Sequence, residues 1–118
     1  MNMKPKMNYF KIFETLLYIN TYYYAYISTH LLSINAEMSE RKYIRDFKML
    51  FGVTPNQHIL FCRLYNACNY LIRSKHSISK ISGLCGFTSL SYFYRAFKKV
   101  YGMTPGEFRY RQLRKNMI

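Results

Sequence analysis

Arg41, Arg45 and Lys48 are spaced four and three residues apart, and the same spacing returns fifty residues later as Ser91, Arg95 and Lys98. On a helix this spacing brings all three side chains of a set to one face. An arginine presents a planar fork that grips a flat edge with two acceptors, and a lysine presents a compact charge on a flexible stem. The chemistry open to such a face is recognition of a polyanion. Solvated helix faces usually mix signs, and here almost none of the neighbours is acidic. The chain has 18 Lys and Arg against 5 Asp and Glu, a net charge of +13. Up to Glu40 three lysines balance three glutamates, so the whole excess lies from Arg41 onward, where fifteen bases face only Asp46 and Glu107. A charge placed in this way points to nucleic acid.

Other chemistries find little support. His58 and Cys62 share a helical face at i, i+4, but two ligands alone do not make a metal site. The three cysteines, Cys62, Cys68 and Cys85, are an odd number without CxxC spacing, so neither a disulfide framework nor a zinc finger is expected. They read as core thiols of a reducing compartment. No nucleophile-and-base pair, P-loop or dinucleotide fingerprint is present, so no catalytic residue, cofactor or metal is expected and the chain is not read as an enzyme. The uncharged run from Thr15 to Ala36 is long enough to span a bilayer. Asn20, His30, Asn35 and the central tyrosines argue against that, and the N-terminus lacks the apolar region of a signal peptide.

The elements that must hold the two basic faces are written twice. Residues 39–55 and 89–105 share seven of seventeen positions, Ser, Arg, Phe, Lys, Gly, Thr and Pro, where chance gives roughly one. Ser39 predicts the cap of one helix, and Thr88 or Ser89 the cap of its counterpart. Tyr43, Phe47 and Leu50 fall on one face, as do Phe93, Phe97 and Val100, opposite the basic residues. "FGVTPNQ" and "YGMTPGE" then each supply a glycine to stop the helix, a threonine cap, a proline at the first helical position and Gln57 or Glu107 to close a capping box.

Upstream of each basic helix lies a short apolar segment fit to be the first helix of a helix-turn-helix. In the second copy it is "SISKISGLCGF", with Ile78, Ile81 and Leu84 apolar, Gly86 at its end and Gly83 read as a point of close helix packing. In the first it is "ISTHLLSINAEMS", with Ile27, Leu31, Leu32 and Ile34 apolar. Ser33 and Ala36 are small there and predict a weaker first lobe. Between the copies "PNQHILFCRLYNACNYLIRS" carries Leu60, Leu64, Ala67 and Leu71 as an apolar stripe. About nineteen residues of helix span roughly 28 Å, which approaches one DNA turn of about 34 Å.

"SISKISGLCGFTSLSYFYRAFKKVYGMTPGEFR" closely resembles the second helix-turn-helix and signature region of the AraC/XylS family of transcription regulators. "MSERKYIRDFKMLFGVTPNQHILFCRLYNACNYL" is similar to that family's first recognition helix and connecting helix, with Arg63, Leu64, Ala67 and Leu71 in its pattern. The resemblance covers about residues 9–112. It implies an all-α fold of two helix-turn-helix subdomains, homeodomain-like three-helix lobes, joined by a long connecting helix. The lobes fall at about 9–54 and 75–112, with the connector at about 55–74, an N-terminal tail at 1–8 and a basic tail at 113–118.

The resemblance also implies a sequence-specific DNA-binding transcription regulator, an activator, inserting two recognition helices into successive major grooves. By analogy the base-facing residues are Arg41, Ile44, Arg45, Leu90, Ser91, Tyr94 and Arg95. Of these, helical geometry alone picks out Arg41, Arg45, Ser91 and Arg95. Lys42, Lys48, Ser89, Lys98 and Lys99 would hold phosphates. Double-stranded DNA is the implied partner, with RNA polymerase as a further one, and the bacterial cytoplasm or nucleoid the implied location. No effector domain is evident, so the chain reads as a stand-alone member or a fragment of a longer regulator. Two other readings stay open: a non-specific or architectural nucleic-acid binder, and an interaction protein that pairs with related regulators through its neutral aromatic N-terminal segment.

Overall fold

The computed structural model describes residues 4–116, with side chains from Tyr9 onward. The described residues form seven α-helices: α1 (Lys4–Tyr22), α2 (Thr29–Asn35), α3 (Glu40–Phe51), α4 (Pro55–Arg73), α5 (Ile78–Leu84), α6 (Leu90–Tyr101) and α7 (Pro105–Asn116). The chain divides into two compact units, Met1–Cys62 and Arg63–Ile118, with α4 crossing from one to the other. No described helix is long and apolar enough to cross a membrane. The uncharged run from Thr15 to Ala36 is broken between α1 and α2, and Tyr26 in that break is 90% exposed. At the other end α7 continues to Asn116, so residues 113–116, expected as tail, are helical.

In the first unit Ile12 and Ile19 of α1, Leu32 of α2, Ala36, Tyr43 and Phe47 of α3 and Ile59 of α4 make the core. Tyr43 is fully buried and keeps its polar end satisfied by donating to Thr15 Oγ1 at 2.8 Å. Thr15 in turn donates to the Ile12 carbonyl at 2.7 Å. Burial pushes the Tyr43 phenol up to about 12. The outer side of α1 leaves Phe10, Leu17 and Tyr18 exposed.

The second unit is built on Leu64, Ala67 and Leu71 of α4, Ile81 of α5, Cys85, Phe87, and Phe93, Ala96 and Phe97 of α6. Phe97 lies edge-on to Phe108 at 5.7 Å. Arg109 of α7 closes the C-terminal end of α4. Its guanidinium donates to the carbonyls of Leu71 at 3.0 Å, His76 at 2.8 Å and Ser74 at 3.2 Å. Helix ends leave carbonyls without intrahelical partners, and here one arginine satisfies that of Leu71 in the last turn of α4 together with two in the loop that follows.

Several expectations change. Leu31 and Ile34 are exposed, while Ser33 and Ala36 are buried in their place. The second unit likewise buries Ser82 and Cys85 at the places that correspond to Ser33 and Ala36. Val100, expected in the core, is 42% exposed. Tyr101 packs there instead, its ring 4.7 Å from Phe97 and 6.2 Å from Phe108. Gly83 is not a point of close packing either, since a Cβ built on it would meet nothing within 4 Å.

Candidate nucleic-acid interface

Each basic helix is set by the same local chemistry. Ser39 and Ser89 have extended backbones, and their hydroxyls accept from the amides of Lys42 and Tyr92 at 3.2 and 3.1 Å. Ser89, not Thr88, is therefore the cap of α6. Gly52 and Gly102 end the helices at φ 81° and 76°, a left-handed conformation that costs glycine nothing. The next helices open with reciprocal capping boxes. Thr54 and Gln57 exchange bonds of 2.9 and 3.2 Å, and Thr104 and Glu107 bonds of 2.9 and 3.1 Å. Bonding to Thr104 holds the Glu107 carboxyl below the usual carboxylate range.

The turns before α3 and α6 also match, but with a one-residue shift. Ser28 and Ser77 cap α2 and α5. The amides of Ala36, Glu37 and Met38 bond to the carbonyls of Leu32, Ile34 and Ser33. Those of Cys85, Gly86 and Phe87 bond in the same way to Ile81, Gly83 and Ser82. These pairs lie 49 residues apart, whereas the serine caps that follow lie 50 apart, so the second turn is one residue longer. The left-handed residue is Gly86 at φ 95° in one turn and Glu37 at φ 59° in the other. Glu37 pairs with Lys11 at 2.7 Å.

On α3, Arg41, Arg45 and Lys48 are exposed on the side away from Tyr43 and Phe47, as helical spacing required. Ile44 is half-buried against the first unit's core, leaving only part of it accessible. Lys42 turns toward Asp46, with Nζ 2.5 Å from Oδ2. Asp46 is 5% exposed, a buried carboxylate on the basic helix that sequence reading had passed over. It also meets Arg45 Nε at 3.5 Å. On α6, Leu90, Ser91, Tyr94, Arg95, Lys98 and Lys99 are all exposed. The Arg95 guanidinium lies over the Tyr92 ring, 5.9 Å from its centre. The two faces therefore offer donors for acceptor edges and phosphates, with apolar surface at Leu90 and at the exposed part of Ile44.

His58 and Cys62 share a polar partner in α1. His58 Nε2 lies 2.7 Å from Asn20 Oδ1, and Cys62 Sγ lies 3.4 Å from the same oxygen. Burial lowers the His58 pKa and raises that of Cys62. No group of three or more metal-ligating side chains exists among the described residues.

The sequence pattern of a family described as a helix-turn-helix domain matches residues 32–111. The probable transcriptional regulator LumQ of Photobacterium leiognathi is 33% identical over 93 residues, covering 79% of this chain and 38% of that protein. The transcriptional activator FapR of Escherichia coli is 42% identical over 73 residues, covering 62% of this chain and 26% of that one. The chain thus spans well under half the length of these relatives. Among solved structures, the DNA-binding domain of AdpA in complex with a target DNA superposes with a TM-score of 0.81 at 26% identity, covering 85% of this chain and 90% of that one. A regulator from Chromobacterium violaceum with an AraC-type DNA-binding domain gives 0.78 at 27% identity, covering 86% of this chain and 91% of that one.

Proposed function

The chain belongs to the AraC/XylS family of helix-turn-helix proteins, and from that premise we propose that it is a sequence-specific DNA-binding transcription regulator. The observation that carries the reading is the pair of exposed basic faces on α3 and α6, each fixed by the same serine cap, glycine stop and capping box. Each helix enters a major groove. Arg41, Arg45, Ser91 and Arg95 reach base edges, joined by Leu90, Tyr94 and the exposed part of Ile44. Lys48, Lys98, Lys99 and the Ser89 end of α6 hold phosphates, which position the protein without reading sequence. The names of FapR and of the Escherichia coli urease operon transcriptional activator support activation as the direction of control. RNA polymerase would then be the second partner and the bacterial cytoplasm the place of action. No catalytic step is part of this reading.

The test is selection of bound duplexes from a random 30-base-pair pool at near-physiological salt. The two recognition faces differ in residues, so two short unlike motifs are expected, one for each unit. Binding without enrichment would replace this reading with a non-specific binder. Absence of binding would overturn it in favour of protein pairing through the exposed apolar side of α1, where Phe10 and Leu17 stand uncovered.

A further inference from the structure

We propose that Asp46 is a positioning residue for DNA reading by the first unit, holding Arg45 ready for a base edge and withdrawing Lys42 from the phosphates. The inference rests on the regulator reading above. A carboxylate buried on the basic helix of a protein of charge +13 is costly unless paired. Asp46 is paired twice, with Lys42 at Oδ2 and with Arg45 at Oδ1. The contact to Arg45 uses Nε alone and leaves the arginine side chain 71% exposed. Among the described residues Nη1 and Nη2 have no partner, and these are donors of the kind that grip guanine O6 and N7. A guanidinium held at Nε loses less rotamer freedom on binding than one on a free stem.

The second unit makes the same comparison with different residues. Asp46 corresponds to Ala96, Lys42 to Tyr92 and Arg45 to Arg95. There the small residue is buried and Arg95 rests over the Tyr92 ring. The central arginine is thus met from a different position in each unit, from Asp46 in the first and from Tyr92, the counterpart of Lys42, in the second. In the first unit the support is ionic and occupies a lysine. In the second it is aromatic and leaves the neighbouring Lys98 and Lys99 exposed.

The test measures affinity of the whole chain for the selected duplex and for random duplex across a salt series, in the wild type, Asp46→Ala and Asp46→Asn. Alanine already fills the corresponding buried position in the second unit, so the first variant has a residue the fold accommodates. Freeing Lys42 should steepen the dependence of log K on log salt by about one. Freeing Arg45 should lower the preference for selected over random duplex about tenfold, with relaxation confined to the motif read by the first unit. Asparagine should act in the same direction, because it keeps the shape and removes the charge. Loss of thermal stability with unchanged slope and preference would make Asp46 purely structural and overturn the proposal. A wild type with no sequence preference would instead overturn the regulator reading itself.

Discussion

Two residues show how a side chain, or the lack of one, contributes away from the basic faces of α3 and α6. Gly83 lies in α5, exposed and with nothing near its missing Cβ, and Ile34 occupies the corresponding place in α2. Glycine inside a helix costs about 1 kcal/mol relative to alanine. Gly83→Ala should therefore stabilise the second unit by about that amount, read as a rise in the urea midpoint. Arg109 is the opposite case, since it is basic yet bonds three carbonyls. Arg109→Ala should destabilise by about 2–3 kcal/mol, and lysine should not restore the loss because one ammonium cannot reproduce the planar fork. Composition counts Arg109 with the DNA-facing bases; only its three acceptors separate it from them. Asp46 was hidden for a related reason. A carboxylate among cations looks like a solvated partner, and its burial depends on how α3 packs, which no local pattern records.

At the scale of elements, caps were the most legible feature, because each depends on residues within four positions of one another. Ser39, Gly52, Thr54 and Gln57, with their counterparts, stand where their types and spacing placed them. The two capping boxes nevertheless differ in one respect that pH exposes. Glu107 titrates and Gln57 does not. Because the folded-state pKa of Glu107 is depressed, its contribution is present above the ordinary carboxylate value and is lost as pH falls through the lower folded value. The Thr104 amide resonance should shift with an inflection below the ordinary value of 4.5, while that of Thr54 stays flat. A Thr104 inflection at the ordinary value would show that the bond in the box does not persist in solution. The turns before α3 and α6 were harder to read. Their one-residue difference in length breaks the repeat upstream of the serine caps, and glutamate at a left-handed position does not announce a turn as Gly86 does. Val100 and Tyr101 exchanged places because helical periodicity cannot tell which of two neighbouring residues a second helix will cover.

For the whole molecule, the paired helix-turn-helix arrangement followed from the repeated pattern and the family from the resemblance of two segments, while the individual contacts followed from neither. The proposed contacts make one global quantity measurable. If Lys48, Lys98 and Lys99 each neutralise a phosphate, log K should fall with log salt at a slope of roughly −3 or steeper. A slope flatter than about −2 would mean that these cations face solvent. The same charges also set how the protein spends its time. On the regulator reading, such a surface would be attracted to any duplex before it met its own sequence, and arrival would come by sliding and hopping along DNA already bound. Each lysine left exposed then shortens the first encounter and lengthens every stop at a wrong site. If Asp46 keeps Lys42 from the phosphates as proposed, it would also act on the pace of the search, letting the molecule leave the wrong places sooner.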